Sequence, residues 1–108
     1  MLFDHAFKKR ENKMRRNYEI EDSLYIRLEE LSKVYDASVA ELINECLTEL
    51  IKSENIQLYE KDSAALMVTH TLLIRESNLS GLEKLKEKYG VSIFKLVNIA
   101  IRNALSEL

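Results

Sequence analysis

Few side chains in this sequence could carry covalent or acid–base chemistry, and they do not gather. The single cysteine, Cys46, falls on an apolar helical stripe and reads as a small core residue, not a nucleophile. His5 lies near the start of the chain, and His70 lies on the inward face of an alternating segment. No set of Cys, His and carboxylates has metal-ligand spacing. Paired carboxylates, a glycine-rich phosphate loop and a nucleophile–base arrangement are likewise missing from the pattern. Glu29, Glu30, Glu83 and Glu87 read as solvated helix faces. The expectation is therefore a protein that is not an enzyme and holds no cofactor and no metal. What remains is ionic and hydrogen-bonding chemistry. Residues 1–16 hold six Lys/Arg and two Asp/Glu, a net of +4, so the rest of the chain carries −6 of the formal −2. A basic arm on an acidic body suggests that one end meets phosphate or an acidic partner; a solvated, unstructured N-terminus is the other reading.

The elements that must position these groups follow from periodicity. Residues 1–14 show only a weak apolar pairing before the run KKRENKMRR, and read as a basic arm. In residues 15–20, Arg16, Tyr18 and Ile20 point one way and Arg15, Asn17 and Glu19 the other, which predicts a short strand. Asp22 or Ser23 is then expected to cap a helix reaching about Val34, with Leu24, Leu28, Leu31 and Tyr35 inward. Asp36 sits where the chain needs a left-handed residue. Ser38, with Glu41 three residues on, forms a capping box for a second helix ending near Ser53. Its stripe is Val39, Leu42, Ile43, Cys46, Leu47, Leu50 and Ile51. Residues 55–65 form an irregular connection. Residues 66–74 alternate again, with Thr69, Thr71 and Leu73 against His70, Leu72 and Ile74, and predict a second strand. Ser77 is expected to cap a helix to about Lys88, Gly90 to close it, and Ser92 to cap the last helix, whose stripe is Ile93, Leu96, Val97, Ala100, Ile101, Ala104 and Leu105.

These two sets of elements are one pattern written twice. At an offset of 54, without a gap, Ile20/Ile74, Ser23/Ser77, Leu28/Leu82, Glu29/Glu83, Leu31/Leu85, Tyr35/Tyr89, Ser38/Ser92, Leu42/Leu96 and Asn44/Asn98 are identical, and Asp22/Glu76 keeps its charge. The chain divides into an arm (1–14), a first half (15–54), a linker (55–65) and a second half (66–108). One half, at roughly 35 residues, is too small to bury a stable core alone. A lone strand also leaves its backbone groups unpaired. Both needs are met if the strands pair as an antiparallel ribbon and the helix pairs bury their stripes beneath it. The predicted class is mainly α with a short two-stranded antiparallel ribbon. Tyr35 and Tyr89 are expected to close the core. Asn44 and Asn98 recur at one helical position, as a hydrogen bond between the halves or as partly exposed polar residues. No apolar run reaches the ~18 residues that span a membrane, and the start does not read as a signal peptide. With one cysteine and no export signal, the expected home is the cytoplasm.

The stretch IRESNLSGLEKLKEKYGVSI, residues 74–93, resembles the ribbon-helix-helix family of MetJ/Arc and CopG type: an apolar strand end, Glu-Ser at a helix start, spaced leucines, Gly90 and the Ser after it. IEDSLYIRLEELSKVYDASV, residues 20–39, repeats it with Asp-Ser. The resemblance covers about residues 15–108. It implies a tandem, TraY-like arrangement in which one chain makes the unit that family members usually build as a dimer. It also implies that the ribbon enters the DNA major groove and that the start of each second helix holds a phosphate. Carried over, the base-contacting residues are Arg15, Asn17, Glu19, Thr69, Thr71 and Leu73. The phosphate-contacting residues are Ser38, Val39, Ser92, Ile93 and Lys95, with Lys8, Lys9, Arg10 and Lys13 of the arm. The partner implied is double-stranded DNA, with self-association on it, and neither a membrane nor a small-molecule substrate. The role implied is a transcriptional repressor; a plasmid partition or conjugation accessory protein, or a protein-interaction module that reads no bases, are the alternatives.

Overall fold

The computed structural model of the chain describes residues 11–60 and 63–107. The element order is β1 (Lys13–Glu21), α1 (Asp22–Tyr35), α2 (Val39–Ser53), β2 (Met67–Arg75), α3 (Glu76–Tyr89) and α4 (Ile93–Ser106). The fold is mainly helical with one two-stranded antiparallel sheet. Each strand and helix of the second half starts 54 residues after its counterpart in the first. The expected strands are present: β1 is longer at both ends, so that Lys13 and Met14, expected in the arm, belong to it, and β2 is shifted by one residue, starting at Met67 and ending at Arg75. None of the described helices is long and apolar enough to cross a membrane.

The strands pair from Lys13 opposite Arg75 to Glu21 opposite Met67, with Asn17 facing Thr71 at the centre. Antiparallel pairing satisfies the backbone groups that a solitary strand would leave open. One face of the ribbon is covered by the helices: Tyr18, Ile20, Leu72 and Ile74 are buried. Beneath them the stripes of α2 and α4 meet, with Ile43, Leu47, Leu96, Val97 and Ile101 fully enclosed. This is the packing that the helical periodicity demands, since each stripe needs a facing one to exclude water.

Caps explain most helix boundaries. Ser38 makes the capping box with Glu41, accepting from Glu41 N at 3.1 Å while Ser38 N donates to Glu41 Oε1 at 3.3 Å. Ser92 Oγ accepts from Lys95 N at 3.4 Å. Asp36 (φ 51°) and Gly90 (φ 65°) are left-handed and close α1 and α3, as the sequence leads one to expect.

Three expectations fail, each for a physical reason. Neither Asp22 or Ser23 nor Ser77 caps a helix: the flanking residues are Glu21 and Arg75, and neither uses its side chain. The strands run straight into α1 and α3, and backbone just before the opposite strand supplies the acceptors. Asp22 N donates to Leu66 O at 2.9 Å, and Glu76 N to Asn12 O at 3.0 Å. Ser77 N donates to the Glu11 carboxylate, so the serine is capped where it was expected to cap. Tyr35 and Tyr89 do not close the core; they are 59% and 41% exposed, because each ends its helix beyond the last turn that faces the ribbon. Tyr89 instead donates its hydroxyl to Glu54 at 2.7 Å. Arg16 has inward parity yet is exposed: with Met14, 42% exposed, it lines an open groove against Glu76, Leu79 and Glu83 of α3.

Candidate nucleic-acid interface

The outer face of the ribbon carries the odd-numbered residues of both strands. Arg15, Asn17, Glu19, Thr69, Thr71 and Leu73 are all exposed. The register brings the six together as three facing rows: Arg15 with Leu73, Asn17 with Thr71, Glu19 with Thr69. Lys13 with Arg75 lies beyond one end, and Glu21 with Met67 beyond the other. Side chains on one row of an antiparallel pair stand about 4.5–5.5 Å apart at Cβ, close enough to act as a unit. In the central row they do so: Thr71 Oγ1 donates to Asn17 Oδ1 at 2.6 Å. Arg75 Nη2 meets Glu45 Oε1 at 3.0 Å. Among the described residues, nothing hydrogen-bonds the Arg15 guanidinium.

Two buried asparagines hold the ribbon in place. Asn44 of α2 reaches into the second half's strand: its Nδ2 donates to Leu73 O at 2.9 Å, and its Oδ1 accepts from Arg75 N at 3.0 Å. Asn98 of α4 does the same to the first strand, donating to Glu19 O at 2.8 Å and accepting from Glu21 N at 3.0 Å. Each also donates to the carbonyl one turn back, Ala40 or Phe94. Every partner is displaced by 54 residues between the two sets. The recurring asparagine thus bonds between halves, with strand backbone as its partner. These bonds involve the backbone of the outward residues Glu19 and Leu73, so the face is built on strands tied to α2 and α4.

The first half's clamp is reinforced by a residue that the repeat does not reveal. Asn78 of α3, 2% exposed, donates to Asn44 O at 3.1 Å and Asn44 Oδ1 at 3.0 Å, and Thr48 donates to Asn78 Oδ1 at 3.1 Å. At the offset of 54 these positions correspond to Leu24 and Arg102, so no pattern marks them. Satisfied on both sides, such a buried network specifies which surfaces meet.

The two helix starts differ. Val39 and Ile93 open α2 and α4, where the first N–H groups have no intrahelical partner and the dipole favours an anion. At α2 the Glu41 carboxylate already occupies Ser38 N. The first turn of α4 has no acidic residue, and Lys95 extends from it, exposed. Lys13 is exposed at the ribbon's end; Lys8, Lys9 and Arg10 lie outside the described residues.

Ionisable groups elsewhere are structural. Burial pushes the Cys46 thiol up to about 11, which suits a core residue. Hydrogen bonds from Ser77 hold the Glu11 carboxyl below its ordinary value. Those from Lys88, then Tyr89, do the same for Glu54. His70 stacks on Tyr25 with ring centroids 3.6 Å apart. Among the described residues, no group of three or more His, Cys, Asp or Glu could hold a metal ion. Comparison of the chain with protein-family models, with curated proteins and with solved structures finds no match.

Proposed function

We propose that the chain is a tandem ribbon-helix-helix protein, a pseudo-dimer within one polypeptide, that lays β1 and β2 in the major groove of double-stranded DNA and acts as a transcriptional repressor. The observation that carries this reading is the outer face of the ribbon, three facing rows of exposed, mostly polar side chains on a backbone fixed by Asn44 and Asn98. A two-stranded ribbon fits the ~12 Å major groove. The pseudo-dimer is supported by the constant displacement of 54 that relates strands, helices and asparagine clamps.

The rows match base edges. Arg15 can make two hydrogen bonds to guanine O6 and N7. Asn17 can bond an adenine edge, and Glu19 can accept from a cytosine amino group. Thr69 and Thr71 offer a hydroxyl or a methyl, and Leu73 offers apolar contact to a thymine methyl. Phosphates are assigned to Ser92, Ile93 and Lys95 at the start of α4, to Lys13, and to Lys8, Lys9 and Arg10. Ser38 and Val39 make a weaker clamp, since Glu41 competes there with an incoming anion.

One observation favours a second reading, a protein-interaction module that reads no bases. Glu19, Glu21, Glu41 and Glu45 all lie at or beside this face, where a polyanion would be repelled. A gel-shift titration in a salt series separates the two. Neutralising Z phosphates makes log K fall with log salt at a slope of about −0.9Z. Engagement by Lys13, Lys95 and the arm predicts a slope of roughly −3 or steeper. Absence of any shift at low salt would leave the interaction module. Plasmid partition or conjugation roles would use the same face, and differ in where the bound sites lie.

A further inference from the structure

We infer that copies of the chain associate head to tail, the turn after α1 of one copy seating Tyr35 in a groove beside β1 of the next. The groove has a volume of about 550 Å³, opens to solvent, and is lined by Met14, Arg16, Glu76, Leu79, Glu83 and Phe94. The fold itself shows what fits there. At the offset of 54, His70 stands for Arg16 and Tyr25 for Leu79. In that half the Tyr25 ring lies flat on the imidazole, with centroids 3.6 Å apart and planes 3° apart, and His70 Nε2 is buried. An aromatic ring thus packs against this strand position. Leu79 carries no ring, so the space over Arg16 stays open. A guanidinium is a planar surface on which an aromatic face stacks.

The chain carries the complementary ring. Val34 and Tyr35, at the end of α1, are 74% and 59% exposed, between Lys33 and Asp36. Among the described residues, nothing hydrogen-bonds the Tyr35 hydroxyl and no carboxylate pairs with Lys33. The equivalent ring is tied down: the Tyr89 hydroxyl bonds Glu54, and Lys88 lies over its face at 5.4 Å. The equivalent groove is filled by Tyr25. Each chain therefore offers one free knob and one open groove. Their charges match as well. Lys33 enters beside Glu76 and Glu83, and Asp36 finds Arg16. A turn of one half meeting a groove of the other is a heterologous contact, which passes from copy to copy. Two side chains and a charged rim fall short of the roughly 1,200 Å² that a stable complex buries, so the association is weak.

The test is sedimentation velocity of the full chain, without DNA, from about 10 µM to about 1 mM. With no DNA present, the outcome is independent of the DNA-binding reading. The sedimentation coefficient should rise with concentration past that of a dimer. Tyr35→Ala removes the knob, at an exposed site. Leu79→Tyr fills the groove with the ring that Tyr25 supplies in the other half. Each variant alone should stay monomeric. Mixed, the two should form a one-to-one dimer and stop there, because that contact uses the single knob and the single groove left between them. Arg16→Ala, at an exposed residue, tests the groove without relying on Leu79→Tyr to fold, and should weaken association roughly 2- to 30-fold. An unaltered chain that stays monomeric at the highest concentration would overturn the inference and leave the groove to a different partner. Association that neither Tyr35→Ala nor Arg16→Ala weakens, or folded variants that do not complement on mixing, would overturn it too.

Discussion

The hydroxyl of Thr71 donates to the amide oxygen of Asn17 at 2.6 Å, across the one row of the ribbon where a residue faces its own counterpart. This bond fixes the orientation of the amide without burying it. Under the proposed function, Asn17 contacts its base, and Thr71, besides offering its own methyl, positions the Asn17 amide. Asn17→Ala should cost about 1–3 kcal/mol of discrimination at the central base, and Thr71→Ala less. Thr71→Val keeps the shape and removes only the hydroxyl. It should broaden the central preference while leaving affinity for random DNA unchanged. Binding titrations on matched and centrally substituted duplexes check both. An equal loss on all duplexes would make Asn17 a backbone contact.

The asparagine clamps predict an asymmetry in stability. Truncating Asn98 leaves Glu19 O and Glu21 N without their side-chain partner, at about 1–3 kcal/mol for each group left buried and unpaired. Truncating Asn44 does this to Leu73 O and Arg75 N, and also removes an acceptor from Asn78. Asn44→Ala should therefore destabilise more than Asn98→Ala in urea unfolding. The Asn44→Ala, Asn78→Leu double variant should recover part of the difference, because it removes both ends of the broken bond. Equal losses for the two single variants would show that Asn78 adds nothing.

The repeat made the elements and their order legible, since period-two and helical stripes recur 54 residues apart. Outward parity likewise singled out all six residues of the ribbon face. Other features depend on what a side chain meets across the fold, and no single-segment pattern carries that. Asn44 and Asn98 were visible as recurrent, but their strand-backbone partners were not. Asn78 and Thr48 stand against Leu24 and Arg102 at the offset, so the repeat does not mark them, and they looked like ordinary helix residues. Ser77 and Asp22 suggested caps because a cap is a local motif, whereas the acceptors for Asp22 N and Glu76 N come from Leu66 and Asn12, each the residue just before the opposite strand. The charge gradient along the face needed the register, which sets Lys13 against Arg75 and not against Met67.

Gly81 is a glycine inside α3, where an alanine would ordinarily favour the helix by roughly 0.5–1 kcal/mol. A Cβ there would stand 2.6–2.9 Å from three side-chain atoms of Ile51 on α2. Overpacking of that kind costs about 1–3 kcal/mol, so Gly81→Ala should be destabilising on balance. Shortening the neighbour should relieve it. Ile51→Ala with Gly81→Ala should lose less than the two single changes added together, as read by thermal or urea unfolding. Strict additivity would show that the two helices are not in close approach at this point.

Cys46 sets an alkaline dependence. Its folded pKa is raised to about 11 from 9.0 by burial, so the folded state holds the proton more tightly than the unfolded chain. The thiol's contribution is fully present below about pH 9 and is lost as pH rises through about 11. Unfolding free energies measured from pH 8 to 11 should fall more steeply for the unaltered chain than for Cys46→Val. Tyrosines that titrate in the same range cancel in the comparison. Parallel curves would show that the thiol is not shielded.

The last prediction concerns which strands pair. If two chains exchanged strands like with like around Asn17, β1 would meet β1, and Arg15 would face Glu19 while Lys13 faced Glu21. Those exposed ion pairs would favour the exchange by about 0.2–1 kcal/mol each. The buried contacts oppose it. With each half meeting its own kind, Asn44 and Thr48 would find Leu24 in place of Asn78, and Ile51 would find Arg27 in place of Gly81. An unsatisfied buried amide costs about 1–3 kcal/mol, and an arginine forced into the close approach at Gly81 costs more than the surface pairs return. Unlike pairing should win. The thirteen residues between Ser53 and Met67 can extend to about 45 Å, enough to supply both strands from one chain. Isotope-filtered NOEs on a mixture of labelled and unlabelled protein should show Asn17–Thr71 contacts within one chain only, unchanged on dilution. Contacts from Arg15 to Glu19 between chains would establish the exchanged dimer instead.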